Sequence, residues 1–137
     1  MSEELINHPK HYSRLGIEPM DVIEEFGLDC HLGFAIKHIA RAGHKGGAVI
    51  DLEKARWYLR RRIWLVLAGG PVVGHAWANP ESMQVILEAW KLQPRLTRAV
   101  FQILLTAGQT DWVAYIDCVR AALIEVEEEL ASMGVKL

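Results

Sequence analysis

Apolar positions recur every three to four residues along most of this chain, the spacing of one face of an α-helix. Six such stretches stand out. Pro19 to Phe26 is the first, with proline at the opening position and Gly27 at the stop; Met20, Ile23 and Phe26 are expected to face the core, with Val22 nearby. The second runs from Cys30 to Ala42, with Asp29 as N-cap, Gly43 as terminator and a stripe of Leu32, Ala35, Ile36 and Ile39. Gly33 lies inside it, where glycine costs about 1 kcal/mol relative to alanine and suggests close approach of another backbone. The third spans about Ala48 to Ala68, with Ile50, Leu52, Ala55, Leu59, Ile63 and Val66 inward, Trp57 and Trp64 together on one side, and Arg56, Arg60, Arg61 and Arg62 outward.

Asn79-Pro80-Glu81 opens a fourth helix that ends near Leu92, and Pro94 opens a fifth that reaches Ala107. Thr110-Asp111 caps a long sixth helix, to about Met133, striped by Val113, Ile116, Val119, Leu123, Val126 and Leu130. No stretch alternates like a strand, so the fold class is all-α, a compact helical domain of about six helices. The irregular start, 1–17, holds His8-Pro9-Lys10-His11-Tyr12, read as an exposed arm or as a segment folded over a site. Val72 to Ala78 has no clear period and reads as a packed connector or a lid. Phe101, Ile103, Leu104, Leu105, Trp112 and Tyr115 widen the apolar faces of helices five and six; core packing explains this, and association with a copy of the chain is the alternative.

Composition narrows the class without changing this picture. With 137 residues, 51% hydrophobic and 23% charged, the chain can bury a core and is not disordered. Two cysteines make no disulfide framework, and the polar opening MSEELINHPKHY is no signal peptide, so a reduced, cytoplasmic setting is expected. The longest apolar run, Ile63 to Ala68, is far too short to span a membrane, and none is expected as a partner.

Charge changes it more. Between Lys37 and Arg62 stand eight Lys or Arg against two acids, a local +6, so the rest carries −8 of the net −2. Such a block suits an anionic ligand or an acidic partner surface, and a solvated helix face is the plain alternative. Five of the basic residues, Lys37, Arg41, His44, Lys45 and Lys54, fall within roughly two turns of the Gly43–Gly47 bend between antiparallel helices. A helix N-terminus there adds donors and partial positive charge, which favours phosphate. Asp21, Glu25 or Asp51 are candidates to place magnesium through water; alternatively Asp51 is a first-turn acid favoured by the helix dipole and paired with Lys54. GHKGG lacks the GxxxxGK[ST] spacing, no GxGxxG or zinc spacing occurs, and the whole-chain charge argues against nucleic acid as a partner.

The run HPKHY…GIEPMDVIEEFGLD…LGFAIKHIARAGHKG…DLEKARWYL resembles DUF3310, a small phage domain family. The resemblance covers about His8 to Arg62. It implies His11, Tyr12, Glu18, Asp21, Lys37, Arg41, Lys45, Asp51, Lys54 and Tyr58 as site positions, in a family that includes a phage nucleoside monophosphate kinase without a P-loop. Phe34 and His38 depart from the family's usual Asn and Tyr. The expected organisation is a nucleotide-binding helical region over 1–66 and a helical extension over 67–137, packed in the same domain or forming an oligomer interface. The leading expectation is a phage nucleotide-binding protein of kinase-like descent. Lys37, Arg41, His44, Lys45 and Lys54 would hold phosphate. Tyr12 or Tyr58 would stack on a base, and His11 would contact sugar or phosphate. Glu18, Asp21 or Asp51 would place Mg2+, with ATP consumed if the protein is a kinase. A non-catalytic sponge that sequesters a nucleotide signal of host defence, and an interaction protein binding an acidic host partner through Arg60–Arg62, are the alternatives. A homo-oligomer is expected.

Overall fold

The computed structural model describes residues 16–43, 47–72 and 77–137. Its elements are α1 (Pro19–Phe26), α2 (Cys30–Ala42), α3 (Ala48–Leu67), α4 (Pro80–Trp90), α5 (Pro94–Leu105), a 3-10 turn (Thr106–Gly108) and α6 (Trp112–Ser132). Among the described residues there is no strand, and the fold is all-α.

Local chemistry sets the helix starts. Asp29 accepts the Leu32 N–H at 2.7 Å, Asn79 accepts from Glu81 at 3.0 Å, Gln93 from Arg95 at 2.8 Å and Asp111 from Ala114 at 3.1 Å. Glu18 and Asp21 form a capping box at the start of α1, with Asp21 accepting the Glu18 N–H at 3.2 Å. The start of α3 differs: Gly47 stands in the left-handed region at φ 80 and supplies no side-chain cap.

Packing joins the described helices into one core. The broadest pairings are α2 on α3, α5 on α6 and α3 on α6, with α1 on α2 and α4 on α5 beside them. Leu32, Ala35, Ile36 and Ile39 meet Leu52, Ala55 and Leu59, and the same core continues through Val100, Ile103 and Leu104 to Tyr115, Val119 and Val126. The 67–137 half is therefore packed against α2 and α3 through α5 and α6. Charged pairs rim these contacts, with Arg56 on Glu127 at 2.8 Å, Arg95 on Glu129 at 3.0 Å and Arg98 on Glu125 at 2.7 Å.

Several expected core positions turn outward. Met20 is 59% exposed, because α1 buries Val22 and Phe26 and only half-buries Ile23. Ile50 is 61% exposed, and Val113 also faces out, since each lies in the first turn of its helix, ahead of the packed face. Gly33 does permit close approach, but to the Ile23 side chain, 3.3 Å from where a Cβ would stand. A Cβ on Gly43 would run into Leu92, so this glycine admits the α4–α5 connection.

The largest correction concerns Arg62, expected on the outer face and found 5% exposed. Its Nε donates to Tyr115 Oη at 2.8 Å, its Nη2 to the Pro71 carbonyl at 2.8 Å, and it forms an ion pair with Asp29. With Nε–H directed at the phenol, the Asp29 contact is a pairing of charge rather than a second hydrogen bond. The guanidinium also lies 5.1 Å from the Tyr115 ring centre. One side chain thus ties the start of α2, the end of α3, the following connector and α6.

Both cysteines are free thiols, Cys30 exposed and Cys118 half-buried, where burial pushes the thiol up. Among the described residues no helix is long and apolar enough to cross a membrane.

Candidate functional site

The antiparallel packing of α2 on α3 lays one stripe of α2 against one stripe of α3. Phe34, His38 and Arg41 follow at helical spacing on the first, and Asp51 and Tyr58, two turns apart, on the second. Asp51 is 7% exposed, and a buried carboxylate needs partners. His38 Nδ1 lies 3.0 Å from Asp51 Oδ1. An ionised carboxylate only accepts, so Nδ1 is the donor of this pair. Arg41 Nε stands 3.8 Å from Asp51 Oδ2, with its side chain 56% exposed. The expected pairing of Asp51 with Lys54 is replaced by this bridge across the two helices.

Above the carboxylate the aromatic rings gather on Tyr58. His38 stacks on it with centroids 6.0 Å apart and planes 7° apart, and Phe34 leans on it at 5.1 Å. Trp57 meets it edge-on at 5.3 Å and His31 at 6.3 Å. Tyr58 is half-buried among these rings, while Phe34 remains 44% exposed. Phe34 and His38 are thus neighbours in one cluster. Their shared signal in the sequence is the four-residue spacing from Phe34 to His38, extended by three to Arg41.

Lys37 and Lys54 are exposed, one beside His38 on α2 and the other between Asp51 and Tyr58 on α3. Lys37 and Arg41 stand three and seven residues after Phe34, and Lys54 four before Tyr58, so helical spacing puts these three exposed cations on the same sides of α2 and α3 as the aromatic cluster. His11, Tyr12, His44 and Lys45 lie outside the described residues. Glu18 and Asp21 serve the α1 cap, and among the described residues no group of three or more His, Cys, Asp or Glu is placed to hold a metal ion. The basic block beyond the site divides: Arg56 is paired with Glu127, Arg62 is buried, and Arg60 and Arg61 are exposed, with Arg61 4.6 Å over the Trp64 ring.

No curated protein and no solved structure matches this chain. The sequence pattern of DUF3310, described as proteins of unknown function, matches residues 6–60, which take in α1, α2 and most of α3. That segment, which holds the whole Asp51–Tyr58 cluster, is similar to the DUF3310 family.

Proposed function

We propose that the α2–α3 junction binds a nucleoside phosphate. The observation that carries this reading is the join of an aromatic shelf to a set of exposed cations: Phe34, His38 and Tyr58 beside Lys37, Arg41 and Lys54. A base is flat and apolar on its faces and stacks on exposed rings, at about 1–3 kcal/mol per base. Of Phe34, His38 and Tyr58, Phe34 has the most free surface, so it forms the stacking platform, with Tyr58 as its support. Phosphate oxygens are met by the arginine fork and the lysine ammonium groups. The start of α3, where Gly47 brings no capping side chain, adds backbone donors. Asp51, held by His38, orients Arg41.

Phosphoryl transfer from ATP to a bound monophosphate is the activity this set serves. An acceptor phosphate oxygen bonds to the γ-phosphorus, the bond to the β–γ bridging oxygen breaks, and ADP leaves. Such transfer needs mainly positioning and neutralisation of charge. Among the described residues, Glu18, Asp21 and Asp51 do not fit a protein-held magnesium, because Glu18 and Asp21 close a helix cap and Asp51 faces His38 and Arg41. Magnesium then arrives on the nucleotide phosphates.

The same commitment of Asp51 favours a second reading, in which the site sequesters a nucleotide signal without turnover. Calorimetry against mono-, di- and cyclic nucleotides, with and without magnesium, separates the two. Binding of at least one ligand is expected, and the double variant Lys37→Ala/Arg41→Ala is expected to weaken it by roughly 100-fold, from two charge-assisted contacts. ADP production from ATP and a monophosphate identifies the kinase; ligand recovered unchanged, with no magnesium dependence, identifies the sponge. Absence of binding across the panel, or an unchanged affinity in the double variant, overturns the site.

A further inference from the structure

The outward face of α6 carries Val113, Asp117, Arg120 and Ile124, spaced by four, three and four residues and so aligned in one stripe. Beside it runs a groove of about 480 Å3 between α3 and α6, bordered by Trp64, Leu67, Arg120 and Ile124. The large apolar groups here are left in water: Val113 is 46% exposed, Ile124 53%, Trp64 56% and Leu67 54%. Exposed apolar side chains gathered at one groove, as Trp64, Leu67 and Ile124 are, mark an interaction surface.

Its charge pattern names the occupant. Along α6 the stripe reads apolar, acid, base, apolar, and in reverse it reads apolar, base, acid, apolar. Laid antiparallel on a copy of itself, with a two-fold axis between Asp117 and Arg120, each Asp117 meets an Arg120 and each Val113 meets an Ile124. Three acids further along α6 are already taken, Glu125, Glu127 and Glu129 by Arg98, Arg56 and Arg95, while Glu128 is exposed beyond Ile124. Asp117 and Arg120 are exposed and make no ion pair among the described residues. Self-complementarity about an axis is what a two-fold interface requires, and opposed charges fix its register.

We propose that the chain forms a two-fold dimer through α6 and the adjoining α3 edge, with α6 packed antiparallel on α6 and Asp117 paired to Arg120 of the second copy. This is independent of the nucleotide reading, since Asp51 lies about 20 Å from Trp64 along α3.

Light scattering across a dilution series tests it. The full chain is expected at about twice the 15.5 kDa of one copy. Asp117→Arg sets arginine against arginine, and Arg120→Asp sets acid against acid. Each is expected to weaken the dimer at least ~10-fold. The double exchange Asp117→Arg/Arg120→Asp restores complementarity and is expected to recover the dimer. Both side chains are exposed, so the variants keep the wild-type helical content, checked by circular dichroism. Ile124→Glu, which removes the apolar end contact, is expected to give the single-chain mass. A wild type of 15.5 kDa at every concentration, an assembly indifferent to both single exchanges, or a double exchange that stays folded and monomeric overturns the proposal. So does a monomer that uses this face to bind a labelled single-stranded oligonucleotide.

Discussion

Replacing Arg62 by alanine is expected to remove about 3–5 kcal/mol of stability, the range for breaking a buried ion pair from one side. The loss has three parts: Asp29 keeps its charge in a buried place without its partner, the Pro71 carbonyl loses a donor, and the Tyr115 hydroxyl loses its hydrogen bond. Urea denaturation reads this directly. A loss below about 1 kcal/mol would mean that water enters and rehydrates Asp29, and would refute the view that this guanidinium ties the helices together. Domains of this kind hold only about 5–15 kcal/mol in all, so the variant is expected to unfold well below the wild-type temperature.

The same network has an alkaline signature. Burial first, and then the Asp29 charge, push the Tyr115 hydroxyl up to about 12, with Arg62 opposing. The unfolded value is about 10. The folded chain therefore holds this proton more tightly, and the stability it contributes is fully present below about pH 10 and is lost as pH rises toward 12. The loss is on the order of 2 kcal/mol. Tyr115→Phe is expected to flatten that part of the stability profile. An unchanged alkaline limb would assign it to other groups.

Asp51→Ala is the second large effect, expected at about 2–3 kcal/mol, because the half-buried His38 N–H loses its acceptor and Arg41 its counter-charge. Asp51→Asn separates the roles. The amide oxygen still accepts from His38, so most stability is retained, while one negative charge leaves the neighbourhood of Lys37, Arg41 and Lys54. Affinity for an anionic ligand is then expected to rise by a few-fold, measured by calorimetry. A fall in affinity with retained stability would show that Asp51 itself contacts the ligand. In a kinase reading it would direct attention to a metal-bridging carboxylate.

The element boundaries were legible because their causes are local. Asp29 and Gly43 frame α2, and Asn79-Pro80, Pro94 and Asp111 open the later helices, each through groups within a few residues of the boundary. Which face each helix buries was less legible, because a periodic stripe is wide enough to rotate by a residue. Met20 and Ile50 fit the period and still point to solvent, since no neighbour covers them. Arg62 shows the limit most sharply. Three consecutive arginines look alike in sequence, and only the meeting of Asp29, Pro71 and Tyr115, distant in the chain, takes the third one inside.

The site divides in the same way. The amino-acid sequence by itself determined the all-α class, the helix caps, and the concentration of basic residues around the bend between α2 and α3. Those follow from periodicity, short-range hydrogen bonding and composition. Only the tertiary structure decided that Asp51 is bridged by His38 and Arg41 rather than paired with Lys54, and that Phe34 and His38 join Tyr58 in one aromatic cluster. These contacts depend on the register at which two antiparallel helices slide together. That register is set by the packing of Leu32, Ile36 and Ile39 on Leu52, Ala55 and Leu59, which a reading along one strand of sequence does not contain.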